Sequence, residues 1–163
     1  MEFKGLAPKR FHMKVRSAKP ADMMQVRDLI SFYAGKNLML PRSLNYLYEN
    51  IRDFKVAVDG ELIVGCGSLH VSWKDLGEIK SLAVDPRYVK KGVGKKILDA
   101  CIKDAGKLGL ENVFTLTMEP EFFQKNKFKK IDRQKLPMKI WGECRNCPKY
   151  PDCDEVALIL TLS

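Results

Sequence analysis

One stretch limits the folds open to this chain more than any other: "GEIKSLAVDPRYVKKGVGKKILDACIKDAGKL", residues 77–108. It opens as a β-rich run and stops at Asp85-Pro86, where proline ends strand pairing. It closes with Val93, Ile97, Cys101, Ala105 and Leu108 three or four residues apart, the period of a helix with one apolar face that ends near Gly109. Between strand and helix lies "VKKGVGKK", residues 89–96. A helix N-terminus offers N–H groups outside the helical ladder and the positive end of the helix dipole. Glycine at 92 and 94 lets backbone come close to a ligand, and Lys90, Lys91, Lys95 and Lys96 add long-range attraction. The stretch suits an anion, and a pyrophosphate fits its dimensions. The plain alternative is a glycine turn with solvated lysines.

Two common phosphate-binding patterns fail on spacing. A P-loop places four residues between its glycines and follows Gly-Lys with Ser or Thr to hold magnesium. Here one residue separates Gly92 from Gly94, and Lys96 follows Lys95. A dinucleotide fingerprint has a third glycine three residues after the second, so that the helix can press on its strand. Position 97 is Ile.

The remaining sequence reads as a mixed α/β domain with a largely antiparallel first half. "MKVRSA" (13–18) predicts a strand, and Pro20 opens a helix with Met23, Val26, Leu29 and Ile30 on one face. "RSLNYLYENIRDF" predicts a second helix with Ser43 as its N-cap. "FKVAVDGELIVGCGSLHV" is a hairpin through Asp59-Gly60. After the third helix come a strand "NVFTLT", a short helix from Pro120, a strand "FKKID" and a closing strand "EVALILTLS".

A chain of 163 residues makes one domain. Hydrophobic residues are 45% and charged residues 30%, and no apolar run nears the roughly 20 residues of a membrane span. The N-terminal "MEFKGLAPKRFHM" has no continuous apolar segment, so the expected location is the cytoplasm. The net charge of +9 is compatible with nucleic acid, a membrane surface or an anionic small molecule. Its lysines concentrate only at 90–96 and 125–135, without regular aromatic interleaving, which points away from nucleic acid.

The run "LAVDPRYVKKGVGKKIL" resembles motif A of the GNAT superfamily of acetyl-CoA-dependent N-acetyltransferases, whose Gln/Arg-x-x-Gly-x-Gly/Ala loop binds the CoA pyrophosphate. The first motif position is Val89 here, which removes a side chain but leaves backbone contacts from Val89, Lys90, Lys91, Gly92, Val93, Gly94 and Lys95. More narrowly, "LMLPRSLNYLYENIRDF", "GEIKSLAVDP", "FFQKNKF" and "LPMKIWGECRNCPKYPDCDEVA" resemble the short bacterial N-acetylglutamate synthases that lack a kinase-like domain. The resemblance covers residues 13–163 and leaves 1–12 as an N-terminal extension. It implies a GNAT fold, a central mixed and mostly antiparallel sheet flanked by helices. The implied activity is acetyl transfer from acetyl-CoA to the α-amino group of L-glutamate, by direct attack in a ternary complex that feeds arginine biosynthesis. Homodimers are common among such folds.

What the resemblance implies for single residues can be set beside their plainer readings. Glu78 matches a general-base position, and a glutamate withdrawn from water holds a proton more readily. A strand-end glutamate in water, or one paired with Lys80, is the alternative. The N–H of Leu82 matches an oxyanion donor. Leu82, Ala83 and Val84 would pair with the pantetheine amides like an added strand, although apolar side chains there equally suit a buried strand. Many relatives carry a tyrosine in the segment written here "PEFFQKNKF" to protonate the CoA thiolate. This chain has Phe122 and Phe123, with Phe123 expected to pack on CoA, and either Tyr88, Tyr150 or water supplies the proton or the thiolate leaves unassisted. Arg42 matches the position that holds the amino acid, since a planar guanidinium suits a carboxylate, and Lys80, Lys139 or Arg145 would meet the second carboxylate.

Cys66 and Cys101 read as small core residues. Cys144, Cys147 and Cys153 stand at a Cys-x2-Cys-x5-Cys spacing that suits zinc or an iron–sulfur cluster, lacks a fourth ligand within itself, and equally fits plain thiols or a disulfide. His70, alone in its strand, reads as a half-buried structural histidine. The rival functions are acetylation of another amine (a protein N-terminus, a lysine or a small amine) and a CoA-binding or metal-sensing module with little catalysis.

Overall fold

The computed structural model describes residues 12–136 and 154–163. Its elements follow the chain as β1 (Lys14–Ser17), α1 (Met23–Ala34), α2 (Leu44–Glu49), β2 (Phe54–Asp59), β3 (Leu62–Trp73), β4 (Leu76–Val84), α3 (Val93–Lys107), β5 (Asn112–Thr117), α4 (Pro120–Lys125), β6 (Lys129–Lys130) and β7 (Val156–Thr161). Local chemistry sets the boundaries. Pro20 opens a 3-10 turn that runs into α1. The hydroxyl of Ser43 accepts the Tyr46 N–H and caps α2 at 3.1 Å. Gly60 turns the β2–β3 hairpin with a left-handed φ of 62°, a conformation that glycine adopts without steric cost.

The strands form a seven-stranded sheet in the order β1-β2-β3-β4-β5-β7-β6 among the described residues. Neighbours are antiparallel except β4 and β5, which are parallel and joined through α3. Helix α3 lies on one face, where Val93, Ile97, Leu98, Cys101 and Ala105 pack on Val64, Leu69, Ile79 and Val113. Helices α1 and α2 cover the other face, with Met23, Val26, Leu29, Ile30 and Leu47 against Phe54, Val56, Ile63, Cys66 and Ala83.

The close approach of α3 is built into the strand rather than the helix. A Cβ at Gly65 would lie 2.8 Å from Ile97 Cδ1 and Val93 Cγ1, and one at Gly67 would lie 2.8 Å from Ile97 Cγ2. The third glycine that a dinucleotide fold places in its helix is therefore replaced by two glycines of β3.

The parallel pairing is short. β4 meets β5 from Leu76↔Asn112 to Ile79↔Thr115, and Thr115 Oγ1 donates to the Ile79 carbonyl at 3.1 Å where the contact ends. Beyond that point β4 continues along β3, while β5 continues along β7 as far as Thr117↔Val156. The sheet opens into a split, and among the described residues 80–84 have a strand on one side only.

Candidate active site

The split exposes chosen backbone atoms. Asp85 N–H donates to the Val64 carbonyl at 2.8 Å, and Ala83 lies opposite Cys66 in the same ladder. Strand alternation turns the amide and carbonyl of Val84, between them, away from β3 and towards the split. The hydroxyl of Tyr33 confirms the direction, since it reaches from α1 to donate to the Val84 carbonyl. Burial raises the Tyr33 phenol above its ordinary pKa, with the charge of Asp85 adding to the effect.

A bulge precedes this edge. The pairs Cys66↔Ala83 and Ser68↔Lys80 leave Gly67 facing two residues, Ser81 and Leu82, and Ser81 has a left-handed φ of 54°. The carbonyls on either side are occupied by Ser68 Oγ, which donates to Lys80 at 3.1 Å, and Cys66 Sγ, which donates to Ser81 at 3.4 Å. Bulges of this kind re-aim backbone next to active sites. Leu82, two residues before Val84, shares its direction, whereas Ala83 turns its backbone to β3 and its side chain into the core. Of the three residues expected to line the pantetheine, alternation thus gives the edge to Leu82 and Val84.

The strand feeds straight into the lysine-rich loop. Asp85, 1% exposed, accepts from the N–H of Arg87 at 2.9 Å and from its guanidinium at 3.2 and 2.8 Å, which fixes the turn through Pro86. The carboxylate holds the Arg87 guanidinium above its ordinary pKa. Lys90 and Gly92 are left-handed, with φ of 62° and 79°. The helical ladder begins with Lys96 N–H to Gly92 O at 3.1 Å, so the N–H groups of Val93, Gly94 and Lys95 precede it, as at any helix start. A Cβ on Gly92 would meet nothing within 4 Å, while one on Gly94 would lie 3.4 Å from the Phe122 ring and 3.7 Å from Val84 Cγ2. Gly94 and Val84 are neighbours, and the helix start and the free edge form one continuous path. A ligand with a diphosphate at one end and amides along an extended arm fits that path, which is the chemistry of CoA.

Several expected residues lie elsewhere. Phe123 is 4% exposed and stacks edge-on with Phe122 and Phe128 in the core, so the ring that faces the loop is Phe122. Helix α4 is amphipathic over so few residues that adjacent phenylalanines must take opposite roles. Tyr88 is 3% exposed and donates its hydroxyl to Asp59 at 2.9 Å, beneath the loop rather than in the split. Val93 is 1% exposed, so its backbone alone can reach a ligand. The Lys95 ammonium reaches Asp99 one turn on at 2.8 Å, an exposed pair of little energetic weight. Cys66 and Cys101 are buried, which pushes both thiols up to about 12. Cys144, Cys147, Cys153, Lys139, Arg145 and Tyr150 lie outside the described residues. Among the described residues no group of three His, Cys, Asp or Glu could hold a metal, and no helix is long and apolar enough to cross a membrane.

The α1/α2 face carries the polar side chains. Cys66 packs under α1, so Ser68 and His70, in alternate positions of β3, share that face, as do their partners Lys80 and Glu78 in β4. Glu78 is 8% exposed, and His70 Nδ1 lies 2.7 Å from Asp53 Oδ2. Arg42, just before the α2 cap, holds its guanidinium 4.4 Å from the centroid of the Tyr46 ring. Tyr33 and Asp53 escaped the sequence reading, because their partners are distant in the chain and neither sits in a motif.

Comparison with known proteins agrees with this geometry. Residues 23–128 match the acetyltransferase (GNAT) family. An amino-acid acetyltransferase of Mycobacterium tuberculosis is 40% identical over 136 residues, which are 81% of this chain and 78% of that protein. An uncharacterized N-acetyltransferase of Chlorobaculum tepidum is 37% identical over 148 residues, 91% and 96% of the two chains. A crystal structure of a Mycobacterium tuberculosis protein in complex with CoA superposes with a TM-score of 0.79 at 34% identity, covering 92% of this chain and 99% of that one. N-acetylglutamate synthase of Neisseria gonorrhoeae, complexed with coenzyme A and N-acetyl-glutamate, gives a TM-score of 0.86 at 25% identity; the match covers 95% of this chain and 36% of the larger protein. The chain belongs to the GNAT family and is an acetyl-CoA-dependent N-acetyltransferase.

Proposed function

We propose that the enzyme acetylates the α-amino group of L-glutamate, as a cytoplasmic catalyst at the head of arginine biosynthesis. The observation that carries the reading is the 40% identity to an amino-acid acetyltransferase over most of both chains. It is supported by a buried glutamate and an arginine on the helix-covered face beside the split. Acetyl-CoA supplies an activated acyl group as a thioester, and the residues of this chain supply the rest.

Glu78 takes the proton of the α-ammonium, directly or through one water, which frees the nitrogen lone pair for attack. The Leu82 N–H, aimed into the split by the bulge, donates to the oxygen that gains charge as the tetrahedral centre forms. Arg42 and Lys80 bind the two carboxylates of glutamate. Arginine is suited to a planar anion, and the Tyr46 ring restrains its guanidinium. The sulfur leaves as a thiolate and takes up the second proton that the nitrogen sheds as the amide forms, so no side chain has to be assigned to protonate it.

The test is free-thiol release from acetyl-CoA against a panel of amino acids and other amines. Release with glutamate is expected; release only with other amines keeps the family and removes glutamate. Arg42→Ala should raise KM for glutamate by at least ten-fold and leave KM for acetyl-CoA within two-fold, and equal changes in both would take Arg42 out of the acceptor site.

A further inference from the structure

One titratable pair on the acceptor-side face has no part in the transfer step. His70 Nδ1 lies 2.7 Å from Asp53 Oδ2, with the imidazole 42% and the carboxylate 28% exposed. The strand order β2-β3-β4 sets the geometry around it. Asp53 closes the turn that enters β2, on one flank of His70. Glu78 is the cross-strand partner of His70 in β4, on the other flank. Directly opposed residues of an antiparallel pair project to the same face with Cβ atoms about 4.5–5.5 Å apart. The two ring nitrogens point to opposite sides of an imidazole, so a ring whose Nδ1 is held towards β2 presents Nε2 on the side of β4. A neutral imidazole that donates from Nδ1 to a carboxylate has Nε2 as its acceptor.

Burial adds a direction. Glu78 is buried, whereas His70 is partly exposed. A base that receives a proton in every turnover must return it to water, and Glu78, between β3 and β5, has the partly exposed His70 as its directly opposed cross-strand neighbour. Charged residues on the elements that flank the imidazole include Arg52 and Asp53 before β2, and Glu78 and Lys80 from β4, Lys80 standing opposite Ser68.

We infer that the Asp53–His70 pair is the proton outlet of the acetyl transfer and acts through Glu78. This inference rests on the reading of Glu78 as the base. In the transfer step the N–H bond of the ammonium breaks and an O–H bond forms on Glu78. In the return step that O–H bond breaks and Nε2–H forms, with the positive charge of the imidazolium facing Asp53. The Nε2 proton then passes to solvent, leaving its electron pair on nitrogen, and Glu78 is again a carboxylate. His70 touches no reacting atom of the substrate in this scheme; its place is set by Asp53 and its partner is Glu78.

The experiment is chemical rescue of the full-length enzyme, run with whichever amine the wild type acetylates. His70→Ala is expected to lower kcat at least ten-fold, with both KM values within two-fold of wild type. Added imidazole should restore most of that kcat in a saturable way and leave both wild type and Glu78→Gln unchanged. Asp53→Asn, which preserves side-chain size, should lower kcat several-fold with an unchanged melting temperature. Wild-type kcat in either folded variant, or a loss in His70→Ala that imidazole does not restore, overturns the outlet. Should His70→Ala fail to fold, His70→Gln and Asp53→Asn decide the matter through kcat: a fall in both supports the outlet, and wild-type kcat in either removes it. Full activity in Glu78→Gln removes the base and the outlet together. A Glu78-dependent rate with no imidazole effect removes the outlet alone, and an acceptor other than glutamate leaves this test unchanged.

Discussion

Exchanging the two loop glycines for alanine one at a time separates what the loop needs for its shape from what it merely tolerates. Gly92 has φ of 79° and open space where a Cβ would go. Gly92→Ala therefore meets no atom, and its whole cost is the left-handed backbone, about 1–2 kcal/mol for an L-residue. A smaller unfolded-state entropy offsets roughly 0.4–1 kcal/mol of that, which leaves about 1 kcal/mol. For a domain of this size that is a fall of about 2–4 °C in melting temperature. In the complex the loop is expected to relax to relieve the strain at the expense of one N–H contact to the diphosphate, a charge-assisted bond of about 1.5–3 kcal/mol, so Kd for CoA should rise about ten- to hundred-fold. Gly94 is the control. Its methyl would lie at ordinary contact distance, 3.4 Å from Phe122 and 3.7 Å from Val84, inside a helix that favours alanine. Gly94→Ala is expected to melt no lower than wild type and to bind CoA within about three-fold, because alanine takes up the helical backbone at less entropic cost than glycine. Circular-dichroism melts of the free protein and calorimetric titration with CoA measure both quantities. Equal losses in the two variants, or wild-type CoA affinity in Gly92→Ala, would refute the assignment of the left-handed turn to anion binding.

Three further outcomes follow from the geometry. Gly65→Ala places a methyl 2.8 Å from Ile97 Cδ1 and Val93 Cγ1 and should cost about 1–3 kcal/mol by overpacking; an unchanged denaturation midpoint would show that α3 does not need those glycines. Asp22 accepts two bonds from the Arg16 guanidinium at 2.7 and 3.0 Å, and that partner holds its carboxyl below the ordinary range. A depressed folded-state value contributes stability that is fully present above the ordinary carboxylate range and is lost as pH falls through the folded value. Asp22→Asn should therefore melt lower than wild type at neutral pH and converge with it in acid, and a gap that widens in acid would contradict the sign. Tyr33→Phe removes the donor to the Val84 carbonyl and should cost the free protein about 1 kcal/mol. It should also tighten CoA binding a few-fold by leaving that carbonyl to a pantetheine amide; weaker binding would refute edge pairing at Val84.

Much of the frame was legible because it rests on local chemistry. Proline and glycine marked the ends of β4 and the start of α3, Asp59-Gly60 marked the hairpin, and Ser43 capped α2. The features that make a site were hidden because they depend on partners far along the chain. Nothing in "EVALILTLS" says that β7 inserts between β5 and β6, and no periodicity announces that β4 and β5 part after Ile79. Phe122 and Phe123 are alike in composition, and only the packing of α4 decides which ring meets Gly94. Asp53 and His70 are 17 positions apart, and only the register of three strands sets His70 between Asp53 and Glu78.

The split in the sheet has a consequence for the protein when acetyl-CoA is scarce. A strand edge with outward amides and carbonyls is a template for any other extended chain, and proteins guard such edges against aggregation. Here the guards are the irregular turn at Ser81, which breaks the flat repeat a foreign strand would need, and the Tyr33 hydroxyl on the Val84 carbonyl. A pantetheine arm paired to that edge would also be its protective cover, worth about 2.7 kcal/mol against unfolding at a hundred times its Kd. An enzyme of this design resists misassembly best when its acyl donor is plentiful.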